Sequence, residues 1–245
     1  MYRALSSAIA IAVMSVPASA ETLGVSTDVA FESRYVFRGV QLQEASVQPA
    51  ITLSFGNFYA GAWFALPVGD DDGPPLQPYG DELDLFAGYS APLSEVVTFD
   101  AGVTYYTYPD AASGFFDGST NTWEAYGGLS FDIPLSPSVY VYRDFTLDAT
   151  TVEGGVSYSF PLAEKTSFDL GGSLGYVIAD NGGTDYLYGA ATADISYAFS
   201  DNGSFYVGAR FGGSDLPGGS IIDNSVLGTY DSSGFWWGVG FSASF

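Results

Sequence analysis

The 245-residue chain contains no histidine and no cysteine. Without cysteine there is no disulfide, no thiolate metal site and no lipid-bearing cysteine of a lipoprotein. Without histidine, the usual general base of outer-membrane esterases, acyl transferases and proteases is missing, and an enzyme is not expected. Basic residues are also scarce, with six Lys and Arg against 28 Asp and Glu and a formal net charge of −22. Such a balance argues against a nucleic-acid partner. No stretch after residue 20 approaches the roughly 18 consecutive apolar residues of a membrane-spanning helix. Helical periodicity is absent as well.

The first residues, MYRALSSAIAIAVMSVPASA, combine basic Arg3, an apolar stretch from Ala4 to Val16 and a small-residue Ala18-Ser19-Ala20 site. This reads as a secretory signal peptide over 1–20, cleaved after Ala20, which leaves 21–245 as one domain. The mature part then keeps only Arg34, Arg38, Arg143, Lys165 and Arg210 as bases. So acidic a chain suggests disorder, but aromatic residues at 17% argue for a packed or lipid-facing structure.

Apolar and small or polar residues alternate at period two through most of the chain. In TFDAGVTYYTY, Phe99, Ala101, Val103 and Tyr105 alternate with Thr98, Asp100, Gly102 and Thr104. In GFWWGVGFSASF, Phe235, Trp237, Val239, Phe241, Ala243 and Phe245 alternate with Trp236, Gly238, Gly240, Ser242 and Ser244. Twelve segments follow this pattern, near 25–38, 47–56, 58–66, 82–90, 96–108, 122–132, 138–146, 151–160, 167–178, 186–199, 204–212 and 235–245. Their parity is ambiguous at 58–66 and 138–146. Most reach the ~9–11 residues that a tilted strand needs to cross a bilayer.

Every second connection is short, whereas the others are mostly longer and acidic, such as PVGDDDGPPLQPYG (67–80). Short turns on one side and longer loops on the other are the habit of outer-membrane barrels. The expected fold is all-β: a closed, antiparallel, up-and-down transmembrane β-barrel of about 12 strands. Three short turns share a Pro-Leu pair after an aromatic strand end (YSAPLSE, FDIPLSP and YSFPLAE), where proline is expected to stop the ladder. Aromatic residues at both strand ends predict two interfacial girdles, the outer one including Tyr35, Phe37, Trp63, Tyr105, Trp123, Tyr188 and Phe235.

The stretch ESRYVFRGVQLQEASVQPAITLSF resembles the TorF-family porins of proteobacteria, also labelled Gcw_chp. Ser33, Tyr35, Val36, Phe37, Arg38 and Gly39 carry the resemblance, with Gln48-Pro49 entering the next strand. DELDLFAGYS, FDAGVTYYTYP, WEAYGGLSFD, PLSPSVYVYRDF and GGVSYSFPL are similar too. The resemblance implies an outer-membrane barrel with a channel role, and brings neither a substrate nor catalytic residues.

Parity then distributes the charges. With Val29 and Phe31 toward lipid, Asp28, Glu32, Arg34 and Arg38 point inward along the first strand. Glu82, Asp84, Asp100, Glu124, Asp132, Glu153, Asp169, Asp194 and Arg210 are inward by the same rule. Glu32, Arg34, Arg38, Glu82, Asp84, Asp100, Glu124, Glu153, Asp194 and Arg210 are the expected pore lining. Arg34 and Arg38, about 13 Å apart on an extended strand, are either two constriction points or partners for nearby acids. Arg143 and Asp144 have opposite parity, so an outward Arg143 would snorkel at the outer rim. Trp237, Phe241 and Phe245 form the expected assembly signal on the closing strand.

The function expected is passive diffusion of small hydrophilic solutes or ions, with a preference for cations. The alternative is a non-conducting structural or adhesive barrel acting through its outer loops. Expected partners are outer-membrane lipid and lipopolysaccharide, the barrel-assembly machinery and the solutes themselves, with no cofactor and no metal. Acidic turns at 69–73 and 180–185 have oxygen ligands for calcium but read as plain turns. The expected location is the outer membrane of a Gram-negative bacterium.

Overall fold

The period-two alternation is realised as strands in a computed structural model that describes residues 23–69, 80–109, 121–180, 182–217, 222–224 and 229–245. The expected signal peptide and the acidic parts of the 67–80 and 109–121 loops lie outside the described residues. Twelve strands form the wall: β1 (Gly24–Glu32), β4 (Ser46–Phe55), β5 (Phe58–Pro67), β6 (Glu82–Pro92), β7 (Val97–Thr107) and β8 (Thr122–Phe131), then β9 (Ser138–Asp144), β10 (Ala149–Ala163), β11 (Thr166–Ala179), β12 (Tyr186–Ala198), β13 (Gly203–Ser214) and β16 (Ser233–Ser244). Two small hairpins complete the set: β2 (Tyr35–Phe37) with β3 (Val40–Gln43), and β14 (Ile222–Asn224) with β15 (Thr229–Asp231).

Each wall strand pairs antiparallel with its sequence neighbour in the wall, and β1 pairs with both β4 and β16, so the sheet closes. Val25 and Phe245 exchange both backbone hydrogen bonds at the seam, at 3.0 and 2.8 Å. Closure leaves no free edge, which is the condition for a sheet to stand in lipid.

The outer surface is apolar. Val141 and Val207 are 46% and 50% exposed at mid-strand, as is Trp237 at 47%. The reason is energetic, since an arginine or lysine at the bilayer midplane of a barrel costs about 2–4 kcal/mol. Aromatic pairs mark the short-turn rim, with Phe58–Tyr89 centroids at 5.1 Å, Tyr197–Phe205 at 5.4 Å and Phe199–Phe241 at 5.6 Å. On the other rim Tyr105 lies 4.3 Å from Trp123 and Phe31 5.3 Å from Trp237.

The two ambiguous segments resolve to Tyr59, Gly61, Trp63 and Ala65 inward on β5, and Tyr140, Tyr142 and Asp144 inward on β9. Trp63 and Tyr188 therefore leave the expected outer girdle, as do Tyr35 and Phe37, because all four lie inside the barrel. The Pro-Leu rule holds for Pro92, the last residue of β6, and Pro134, which lies in a turn. It fails at Pro161, which stays in β10 where that strand has run past its last β9 pair, Gly155–Ser138, and pairs with β11 alone, so a missing donor is tolerated. Asp132 falls beyond the end of β8, exposed in the turn and not in the lumen.

Candidate functional site: a lumen crossed by an arginine-tipped hairpin

The expected first strand, 25–38, ends at Glu32. Residues 33–45 leave the wall, fold inward as the β2–β3 hairpin and rejoin it at Ser46, opposite Glu32. The turn is the cause. Arg38 and Gly39 both have positive φ, at 48° and 75°, which is the type I′ pattern suited to a two-residue hairpin. A side chain on Gly39 would meet the Gly213 carbonyl oxygen at 2.5 Å and the Tyr188 Cβ at 2.7 Å. The tip therefore rests against the β12–β13 side of the wall. Arg34 and Arg38 are consequently not two points on one extended strand. Arg34 lies on the link between β1 and β2, and Arg38 at the tip.

Arg38 faces Glu124 of β8. Its Nη1 and Nη2 donate to Glu124 Oε2 and Oε1 at 2.7 and 2.9 Å, a planar fork on a carboxylate. The Tyr106 hydroxyl donates to the same Oε1 at 3.0 Å. The guanidinium carbon also lies 4.7 Å from the ring centroids of Phe37 and Tyr142. Burial disfavours the Arg38 charge, but the adjacent Glu124 carboxylate more than offsets it and holds the pKa above the ordinary arginine value.

The rest of the hairpin is also packed inside. Tyr35 is buried with its ring 5.3 Å from Trp63, and Phe37 lies 6.1 Å from Tyr106. Gln41 and Gln43 are buried, and Gln43 Nε2 donates to the Gly80 carbonyl at 2.9 Å. The β14–β15 hairpin lies beside β3.

Around this hairpin the inward side chains form separate clusters. Arg210 of β13 is held between Asp194 of β12 and Glu32 of β1, the latter at 3.3 Å. A Cβ at Gly238 would collide with the Glu32 carboxylate, so the bare backbone of β16 makes room for it. Toward the short-turn end, Asp100 accepts from Tyr59 at 2.8 Å and from Tyr140 at 3.5 Å, and Tyr59 pairs with Tyr126 at 2.5 Å. Glu153 accepts from Tyr188 at 2.6 Å. Asp169 accepts from Ser159 and Ser167 at 2.5 and 3.0 Å. Glu82 and Asp84 are buried two residues apart on the inner face of β6. Asp28 is also inward, and only half-buried.

Arg143 does face outward at the long-loop rim, paired with Asp148 and with Asp180 at 2.5 Å. Asp144 turns inward and accepts from the Thr146 and Leu147 amides. At 180–185, Asp180 serves Arg143 while Asp185 accepts from the Ala179 amide at 2.9 Å. Trp237, Phe241 and Phe245 all point out from β16 and are exposed.

Sequence reasoning missed the hairpin and with it Tyr35, Gln41 and Gln43. A signal was present, because Arg38-Gly39 sits between YVF and VQLQ, a two-residue turn with alternation on both sides. The tyrosines that hold the acids (Tyr59, Tyr106, Tyr140 and Tyr188) were also not singled out as lumen residues.

Residues 16–217 match the model of a family described as bacterial proteins of unknown function, Gcw_chp. The chain belongs to the Gcw_chp family. No curated protein matches its sequence. Among solved structures it is similar to KdgM porin, with 14% identity, a TM-score of 0.55, and 91% of this chain and 99% of that chain covered. KdgM porin in complex with disordered oligogalacturonate gives 14% identity and a TM-score of 0.56 over the same shares. NanC porin gives 12% identity and a TM-score of 0.52, covering 89% of this chain and 98% of that one. At these identities the likeness establishes the fold, so this Gcw_chp chain has the porin-like barrel architecture of outer-membrane proteins.

Proposed function

We propose that this Gcw_chp protein is an outer-membrane channel of the TorF-porin type, exported by its signal peptide, through which small hydrophilic solutes or ions diffuse with a preference for cations. The observation that carries the reading is a closed barrel with an apolar exterior and charged side chains on its inner wall. The sign of the lumen supports the preference. Arg38 is paired with Glu124, and Arg210 with Asp194 and Glu32, while the inner wall carries further acids at Glu82, Asp84, Asp100, Glu153 and Asp169. Acidic linings favour cations, and a low-dielectric wall concentrates them. Oligogalacturonate, seen with KdgM porin, is a polyanion that such a lining would repel.

Planar-bilayer recording of the refolded protein tests the reading. Discrete steps are expected, with a reversal potential under a salt gradient on the cation side. The preference should weaken in concentrated salt, where screening acts within a few ångströms. An anion-selective wild type would overturn the cation preference. The hairpin across the lumen is the one observation that favours a non-conducting surface barrel, and persistent silence from a demonstrably folded protein would favour that alternative.

A further inference from the structure

Arg38 occupies its surroundings as a ligand occupies a site. Its planar fork meets the Glu124 carboxylate through two bonds of 2.7 and 2.9 Å, and a third donor, the Tyr106 hydroxyl, orients that carboxylate. The Tyr142 ring covers one side of the guanidinium at 4.7 Å. Glu153, held by Tyr188, lies within electrostatic range. Glu124 itself is only 2% exposed. Carboxylate plus aromatic face is the chemistry that selects guanidinium and organic ammonium groups over small inorganic cations. All of these partners belong to the wall strands β7 to β10 and β12, whereas Arg38 belongs to the inserted hairpin.

We propose that Glu124, Tyr106 and Tyr142, with Glu153 beside them, form a binding site for guanidinium- and amine-bearing organic cations. Arg38 is the tethered occupant of that site, and solutes of the same chemistry displace it and so release the hairpin from the lumen. The release step rests on the channel reading; the binding site does not. A tethered group competes with an effective concentration in the millimolar range for a short connection. A solute reaching millimolar levels outside the cell therefore competes on comparable terms.

The test uses the refolded full barrel, with guanidinium chloride as probe and sodium chloride at matched ionic strength as control. Removing the tethered competitor in Arg38→Ala should tighten guanidinium binding, read by calorimetry in detergent, about tenfold or more over wild type. Adding Glu124→Gln to Arg38→Ala should abolish that gain, and sodium should not produce it. In bilayers, guanidinium should block the Arg38→Ala current reversibly and spare the double variant. Equal binding in wild type, Arg38→Ala and the double variant overturns the site. Glu124-dependent binding by a barrel silent in bilayers keeps the site and removes the channel. Steady conductance with no Glu124-dependent guanidinium effect does the reverse. If Arg38→Ala does not fold, Arg38→Lys replaces it. It keeps a charge but lacks the planar fork, so it should also bind guanidinium more tightly than wild type, and equality with wild type overturns the proposal.

Discussion

Arg210 is sealed between Asp194 and Glu32, while Arg143 stands at the rim with Asp148 and Asp180. The side chains of the first group are 1–7% exposed and those of the second 34–50%. Removing one member of a buried ion pair strands the others, at about 3–5 kcal/mol. Arg210→Ala should therefore lower the urea midpoint of the refolded barrel sharply. Arg143→Ala should leave it nearly unchanged, because exposed pairs are screened by solvent. Equal midpoints for the two variants would count against a structural role for the buried triad. That Arg210 points inward was legible from the parity of its strand. Its partner Glu32 was not, because that contact joins residues 178 apart in sequence and depends on where the barrel closes.

At the scale of elements, the wall was largely legible and the inserted hairpin was not. All twelve wall strands follow from alternation, because lipid on one side and a polar interior on the other impose period two on every strand. The hairpin has no lipid face, so its alternation carries no information about depth; its first half was absorbed into the expected strand 25–38 and its second half, Val40–Gln43, read as part of a loop. Gly39 provides the test. A β-branched residue is strained at its φ of 75° and would collide with Gly213 and Tyr188. Gly39→Val should unseat the hairpin while leaving the wall intact. Hydrogen exchange of residues 35–43 should then rise, with exchange in β10 to β13 unchanged. Protection of 35–43 equal to wild type would refute the packing role given to the tip.

At the scale of the whole molecule, closure depends on the seam between β1 and β16. Deleting Phe245 removes both of its backbone bonds to Val25 and the exposed aromatic at that rim. The folded yield in lipid should fall well below that of Phe145→Ala, which alters an exposed aromatic in the turn after β9. In cells the same contrast tests whether Trp237, Phe241 and Phe245 act as the assembly signal proposed for them. Equal surface delivery of both variants would argue against it.

Because β1 and β4 pair directly over Gly24–Glu32, residues 33–45 depart from the wall and return to it at neighbouring points. Only its two ends touch the ladder that holds the barrel shut, Ser33 through Trp237 of β16 and Ala45 through Val68 after β5; residues 34–44 between them add nothing to it. It behaves as a cartridge: the eleven positions 34–44 can be exchanged, lengthened or deleted without renegotiating a single inter-strand register. Two barrels of this family with identical walls can thus differ completely in what fills their lumens, and selection can rework that filling without placing the membrane-facing scaffold at risk.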